Sequence, residues 1–142
     1  QTQLSAQLLN GSLWRNRERI FLIERRKDQA PLGTIHYWMR QDLRDTAVMA
    51  VKIAAADQRN LGYGTEAQKY LIIHLFKQVG VRAVEMYTDV DNHPQQRCLH
   101  KLGFQVERSL TYADHGVERT GHLFQLTADG FARHPVYQYH YD

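Results

Sequence analysis

Gln58-Arg59-Asn60-Leu61-Gly62-Tyr63-Gly64-Thr65 joins an apolar run, Ala47 to Ala56, to an amphipathic helical pattern, Thr65 to Val79. Glycines at a strand-to-helix turn make an anion cradle, because Gly62 and Gly64 reach backbone angles that other residues resist and carry no Cβ to hold a phosphate away. The amides that follow lie at a helix N-terminus, where unpaired N–H groups and the positive end of the macrodipole favour negative charge. Thr65 reads as the N-cap of that helix and Arg59 as a cation beside the turn. A P-loop is excluded: it needs Lys and then Ser or Thr after its last glycine, and here Thr65 is followed by Glu66. A dinucleotide fingerprint stays open on this stretch alone, since Gly62, Gly64 and Ala67 keep its spacing with a tolerated Ala in the third place.

Upstream, Leu4 to Leu13 reads as the end of a helix and Ile20 to Arg25 as a strand. The turn Lys27-Asp28-Gln29-Ala30-Pro31 leads to a return strand, Leu32 to Arg40, and the polar turn Asp42 to Asp45 precedes a strand from Thr46 to Ala55. Downstream, Ala67, Tyr70, Leu71, His74, Leu75 and Gln78 recur at helical spacing up to Gly80. Val81 to Val90 is a buried strand, and Pro94 suits the first turn of a short helix that runs to Leu102 and ends at Gly103. Gln105 to Ala113 and Gly121 to Leu126 bracket Asp114-His115-Gly116 as a long hairpin. The tail from His134 to Tyr141 alternates aromatics, which favours an extra strand or a segment packing on a neighbour. Three strands, helix, strand, helix and two strands make a mixed α/β pattern around a central sheet.

The spacing Arg59-x-x-Gly62-x-Gly64 resembles the acetyl-CoA pyrophosphate loop of the GNAT superfamily of N-acyltransferases. Met86-x-Thr88-x-x-x-Asn92, followed by Arg97-Cys98-Leu99-His100-Lys101-Leu102-Gly103-Phe104, resembles that superfamily's fifth strand, pantetheine-side Asn and final helix end. The resemblance covers about residues 19 to 127 and is most similar to the branch that acetylates ribosomal-protein N-termini. It implies one acyl-CoA N-acyltransferase domain over residues 1–142, with a mixed, mainly antiparallel central sheet flanked by helices. It further implies a V-shaped splay between the strand at Val51 to Ala54 and the strand at Met86 to Thr88. Only Gln1 to Leu13 is there to supply the N-terminal strand and helices of relatives, so those elements, and the acceptor-side wall they build, are expected to be short or missing.

Acetyl-CoA is the implied cosubstrate. Val51, Ile53 and Ala54 would pair with pantetheine through their backbone, and Gln58, Arg59, Asn60, Leu61, Gly62, Tyr63, Gly64 and Thr65 would hold the pyrophosphate. Asn92 would bond the pantetheine amides, with Arg97 and Lys101 completing the set, although Asn92 also reads as a turn residue capping the next helix. The implied reaction is direct attack of a neutral primary amine on the thioester carbonyl. It requires a base or water chain for the ammonium proton, a donor for the oxyanion and a proton for the leaving thiolate.

A backbone N–H near Ile53 or Ala54 is the expected oxyanion donor. Glu85 is the first candidate base, with an ion-paired or solvent-facing role as its alternative. His36 and Tyr37, which a strand points to opposite faces, are further candidates, and a structural role for His36 is the blander reading. Leu99 stands where relatives often carry a general-acid Tyr, and Cys98 beside it reads as a buried structural thiol turned about 100 degrees away. Tyr112, His115, Glu118 and His122 in the hairpin are expected to flank the acceptor.

The expected acceptor is a protein N-terminal α-amine. A small amine, such as an antibiotic, polyamine or amino acid derivative, is the alternative, as is a catalytically impaired acyl-CoA-binding module. Composition agrees with a globular chain: 142 residues, 43% hydrophobic, 23% charged. A net charge of +3 without a dense basic stripe argues against nucleic acid, and no apolar run approaches the roughly 18 residues of a membrane span. With no signal-peptide pattern and a single Cys98, a cytoplasmic protein is expected. Eight histidines supply no metal-ligand spacing, so no metal is expected. A homodimer through the basic N-terminal strand or the aromatic tail is an open alternative.

Overall fold

The computed structural model describes residues 2–6, 18–53 and 62–138. Its frame is a seven-stranded sheet in the order β1-β2-β3-β4-β5-β7-β6. The strands are β1 (Thr2–Ala6), β2 (Glu18–Arg25), β3 (Pro31–Met39), β4 (Thr46–Ile53), β5 (Ala83–Asp89), β6 (Gln105–Asp114) and β7 (Val117–Thr127). Every neighbouring pair is antiparallel except β4 and β5, which run parallel. Helix α1 (Tyr63–His74), continued by the π-helical turn Leu75–Val79, supplies the β4-to-β5 crossover. Helix α2 (His93–Lys101) follows β5, and two short helices, α3 (Ala128–Arg133) and α4 (Pro135–Gln138), follow β7.

Strand alternation sorts side chains between two faces. Ile23, Ile35, Tyr37, Ala47, Met49, Val84, Met86, Phe124 and Leu126 point toward the helices, where they form one buried cluster with Leu71, Ile72, Leu75, Leu99 and Leu102. Ile20, His36, Trp38, Val48, Ala50, Glu85 and Tyr87 take the opposite face by the same register. Glycines end both long helices. Gly80 (φ 82) receives the chain after Val79, and Gly103 (φ 89) closes α2 in a Schellman motif, with Phe104 N–H to Leu99 C=O at 2.9 Å and Gly103 N–H to His100 C=O at 3.1 Å.

Three sequence expectations need correction. The segment from Leu4 was read as a helix end, but Thr2–Ala6 is a strand with Leu4 paired to Ile23; the exposed edge of β2 offers a ladder that outweighs a weak local helical spacing. Residues 7–13 of that reading lie outside the described residues. The tail was read as a strand or a segment on a neighbour, yet over residues 134–138 Pro135 opens a helical turn whose Tyr137 is buried and donates from its hydroxyl to Leu102 C=O at 2.6 Å, while residues 139–141 of that reading lie outside the described residues. Phe131 stacks on Phe76 at 4.6 Å, so aromatic burial against α1's extension decides the tail's path. Thr65 was read as an N-cap, but Gly62 holds that position at φ 86 and Thr65 lies inside the helix.

Candidate active site

Among the described residues, strands β4 and β5 pair through Thr46–Ala83, Ala47–Val84 and Val48–Glu85 alone. Beyond that point β4 continues to Ile53 and β5 to Asp89 with no shared ladder among the described residues, so the sheet opens into a V. A cavity of ≈ 400 Å³ fills the opening on the helix side, lined by Val51 and Ile53 of β4, by Gly62, Gly64, Thr65 and Gln68 of the turn and α1, and by Asn92, Pro94, Gln95 and Cys98 of α2.

Gly62 is both the N-cap of α1 and a wall of the cavity. Its φ of 86 is a left-handed angle that disfavours other residues, and space is open where a Cβ would stand. Gly64 sits against Ile53, whose Cγ1 lies 3.7 Å from an added Cβ, so the first turn of α1 packs directly on β4. Asn92 lines the other side while capping α2, its Oδ1 accepting from Gln95 N–H at 3.3 Å. The binding and capping readings of Asn92 therefore share one geometry.

Between α1 and α2 lies a polar network that sequence reasoning missed. Gln68, 1% exposed, donates to Gly64 C=O (3.1 Å), Gln95 Oε1 (3.4 Å) and Cys98 Sγ (3.4 Å). Gln95 donates back to Gln68 Oε1 at 2.8 Å and to Met86 Sδ at 2.9 Å. Thr65 Oγ1 donates to Cys98 Sγ at 3.1 Å. Burial pushes the Cys98 thiol up, only partly opposed by the Thr65 bond, the Lys101 charge and the Gln68 bond. Cys98 was expected to be a buried structural thiol turned about 100 degrees from Leu99; it is buried, but it also lines the cavity, whereas Leu99 lies fully in the core. The one signal available was that a Gln in each of two helical patterns, at apolar-face spacing, has to find a buried partner.

Other candidate residues divide by face. Glu85 is 2% exposed and accepts from Arg40 Nη1 at both carboxylate oxygens (3.0 and 3.2 Å), while Gln125 donates to it at 3.2 Å. Arg40 is also bound to Asp42, and that partnership, ahead of Glu85, holds its guanidinium protonated. Tyr37 belongs to the core under α1, where burial raises its phenol. His36 lies on the opposite face, its ring 4.8 Å from Trp38 and its Nε2 without a hydrogen bond among the described residues, with Glu18 Oε2 3.9 Å away.

Tyr63 packs at the core's margin and shares a hydrogen bond with Arg25, while Arg97 and Lys101 are exposed on α2 away from the cavity lining. Ala54, Gln58, Arg59, Asn60 and Leu61 lie outside the described residues. In the hairpin, Tyr112 and Arg119 both donate to Asp89 Oδ2 at 3.2 Å, whereas His122 meets Ser109 Oγ at 2.8 Å; His115 and Glu118 are exposed. The Asp91 N–H, then Arg119 and Tyr112, hold the Asp89 carboxyl below its ordinary range. Among the described residues no group of three or more His, Cys, Asp or Glu is placed to hold a metal, and no helix is long and apolar enough to cross a membrane.

Comparison with known proteins follows the same geometry. Residues 2–105 match the acetyltransferase (GNAT) domain family model. Among solved structures, mutant forms of the spermidine/spermine N-acetyltransferase SpeG from Vibrio cholerae superpose with a TM-score of 0.84 at 14% identity, over 95% of this chain and 99% of that one. SpeG in complex with manganese ions gives 0.82 at 14% identity, over 95% and 97%. A candidate ribosomal-protein-serine acetyltransferase from the same organism gives 0.66 at 24% identity, over 78% and 64%. A search of curated proteins returns no significant match. With the family model covering most of the splayed sheet and both helices that bound its cavity, the chain belongs to the GNAT acetyltransferase family and is an N-acetyltransferase.

Proposed function

We propose that this chain transfers an acetyl group from acetyl-CoA to a small primary amine, with the cosubstrate in the β4–β5 cavity and the amine arriving from the opposite face. The observation that carries the reading is the cavity itself, which joins a left-handed glycine at a helix N-terminus to a strand edge left open by the splay. The fit to acetyl-CoA is physical. Open space above Gly62 leaves room for a phosphate beside the first amides of α1, and the unladdered side of Val51 and Ile53 offers backbone groups to an amide-bearing arm. Asn92 adds a carboxamide at the facing wall. Acetyl-CoA supplies an activated acetyl group as a thioester; the chain's own residues bind, orient and handle protons.

For the proton of the attacking amine we assign His36 rather than Glu85. His36 lies across from Ala50, an exposed small residue just past the end of the β4–β5 ladder, on the face where an acceptor would stand. Glu85 is held by Arg40 and Gln125 and serves to anchor the apex of the splay. The acceptor class rests on the likeness to proteins described as spermidine/spermine N-acetyltransferases. A protein N-terminal α-amine is the second reading, favoured by the likeness at 24% identity to the candidate ribosomal-protein-serine acetyltransferase.

Titration calorimetry with acetyl-CoA and CoA, followed by thiol-release assays over polyamines, other small amines and N-terminal peptides, tests both parts. The expected result is CoA binding with turnover on small amines. Turnover on peptides alone would reverse the order of acceptors, and absence of CoA binding would sink the cosubstrate site. Gly62→Val is expected to raise the acetyl-CoA Kd by about 30-fold, or about 2 kcal/mol, by strain and by occupying the open space. An unchanged Kd in a folded variant would remove the turn from the site.

A further inference from the structure

From the reciprocal carboxamide pair of Gln68 and Gln95 we infer an acyl-length gate, a role that rests on the cavity being the acyl-CoA site. Gln95 lines the cavity, whereas Met86, to which its Nε2 donates at 2.9 Å, does not. Met86 is the first β5 residue beyond the last β4–β5 pair, Val48 with Glu85, so the Gln95 amide stands over the apex of the splay. That is the inner end toward which a thioester between these strands would point. The amide is held in place. Its nitrogen is shared between Met86 Sδ and Gln68 Oε1, and its oxygen accepts from Gln68, which is 1% exposed and is itself tied to Gly64 C=O and Cys98 Sγ.

An acetyl group needs little room at this end. A longer acyl chain has to push the Gln95 amide aside, and doing so leaves the buried Gln68 carboxamide without its partner, a penalty of the kind that makes polar sites discriminate more sharply than apolar ones. Discrimination therefore comes from the fixed amide as well as from its bulk, and Gln68, which holds that amide, is a positioning residue for it.

Kd values for CoA, acetyl-CoA and butyryl-CoA, measured by calorimetry on the wild type and on folded Gln95→Ser and Gln68→Leu, test the gate. The wild type is expected to bind butyryl-CoA at least about tenfold more weakly than acetyl-CoA. Gln95→Ser removes the side chain and Gln68→Leu releases it, and each should bring the ratio of the butyryl-CoA to the acetyl-CoA Kd toward one. A wild-type ratio near one, or a ratio unmoved in both variants, overturns the gate while the cosubstrate site stands. A change confined to Gln95→Ser overturns the held amide and leaves bulk alone as the cause. If the wild type binds none of the three ligands, the cosubstrate reading has failed, and the gate with it.

Discussion

Cys98 shows how one residue's surroundings decide its chemistry. It touches the cavity but is mostly buried, and the burial raises its pKa from the ordinary 9.0, so the thiol stays protonated through neutral pH. Its alkylation by iodoacetamide should therefore be slow at pH 8, rise only above pH 9 and be suppressed by CoA; mass-spectrometric rates across pH would check this, and fast labelling at pH 7 would contradict it. The linkage sign follows from a raised acid. The neutral thiol favours the folded state fully below the unfolded pKa, and that contribution is lost as pH climbs through the folded value. Glu85 and His36 separate in the same spirit. Glu85→Gln should lower stability by about 1–3 kcal/mol, since Arg40 loses its buried counter-charge, and should leave kcat within a few-fold. His36→Gln should lower kcat by about a hundredfold with little effect on stability. If the two variants exchange these effects, the roles assigned to them are reversed.

At the scale of elements, the site depends on how closely β3 and β4 approach at the cavity mouth. A Cβ on Gly33 would stand 1.8 Å from Lys52 C=O, and Gly33 is the register partner of Ile53, a cavity residue. Gly33→Ala must push backbone against backbone, so it should cost about 1–3 kcal/mol in urea melts and weaken acetyl-CoA binding by displacing Ile53. Tyr137→Phe tests the α4 anchor, with an expected cost of about 1–2 kcal/mol for leaving Leu102 C=O without its buried donor. Glycine and proline punctuation made most elements legible in the sequence: Gly80, Gly103 and Pro94 fall at or beside the helix ends they predicted. What stayed hidden depended on partners remote in sequence. Thr2–Ala6 is a strand because β2 has a free edge, and the Gln68–Gln95 pair exists because a crossover brings α1 and α2 together, neither of which a local period reveals.

For the whole molecule, the cavity is made by three segments, β4, α1 and α2, that meet only in the folded chain. A ligand that bridges them binds the native state and has nothing comparable to bind when the chain is unfolded. Stability should then rise with ligand concentration, by about 2.7 kcal/mol at a hundredfold excess over Kd. Hydrogen exchange should localise the protection to residues from β4, α1 and α2, leaving the β6–β7 hairpin, which contributes no residue to the cavity, at its unliganded rate. The same hairpin carries Tyr112 and Arg119, which fasten to Asp89 on the end of β5, so an amine acceptor that engages this end should slow exchange there instead. Adding acetyl-CoA and an acceptor separately thus tests whether the two substrates occupy opposite sides of the splay. Protection of one common set of amides by both would place them on the same side and contradict the two-faced site.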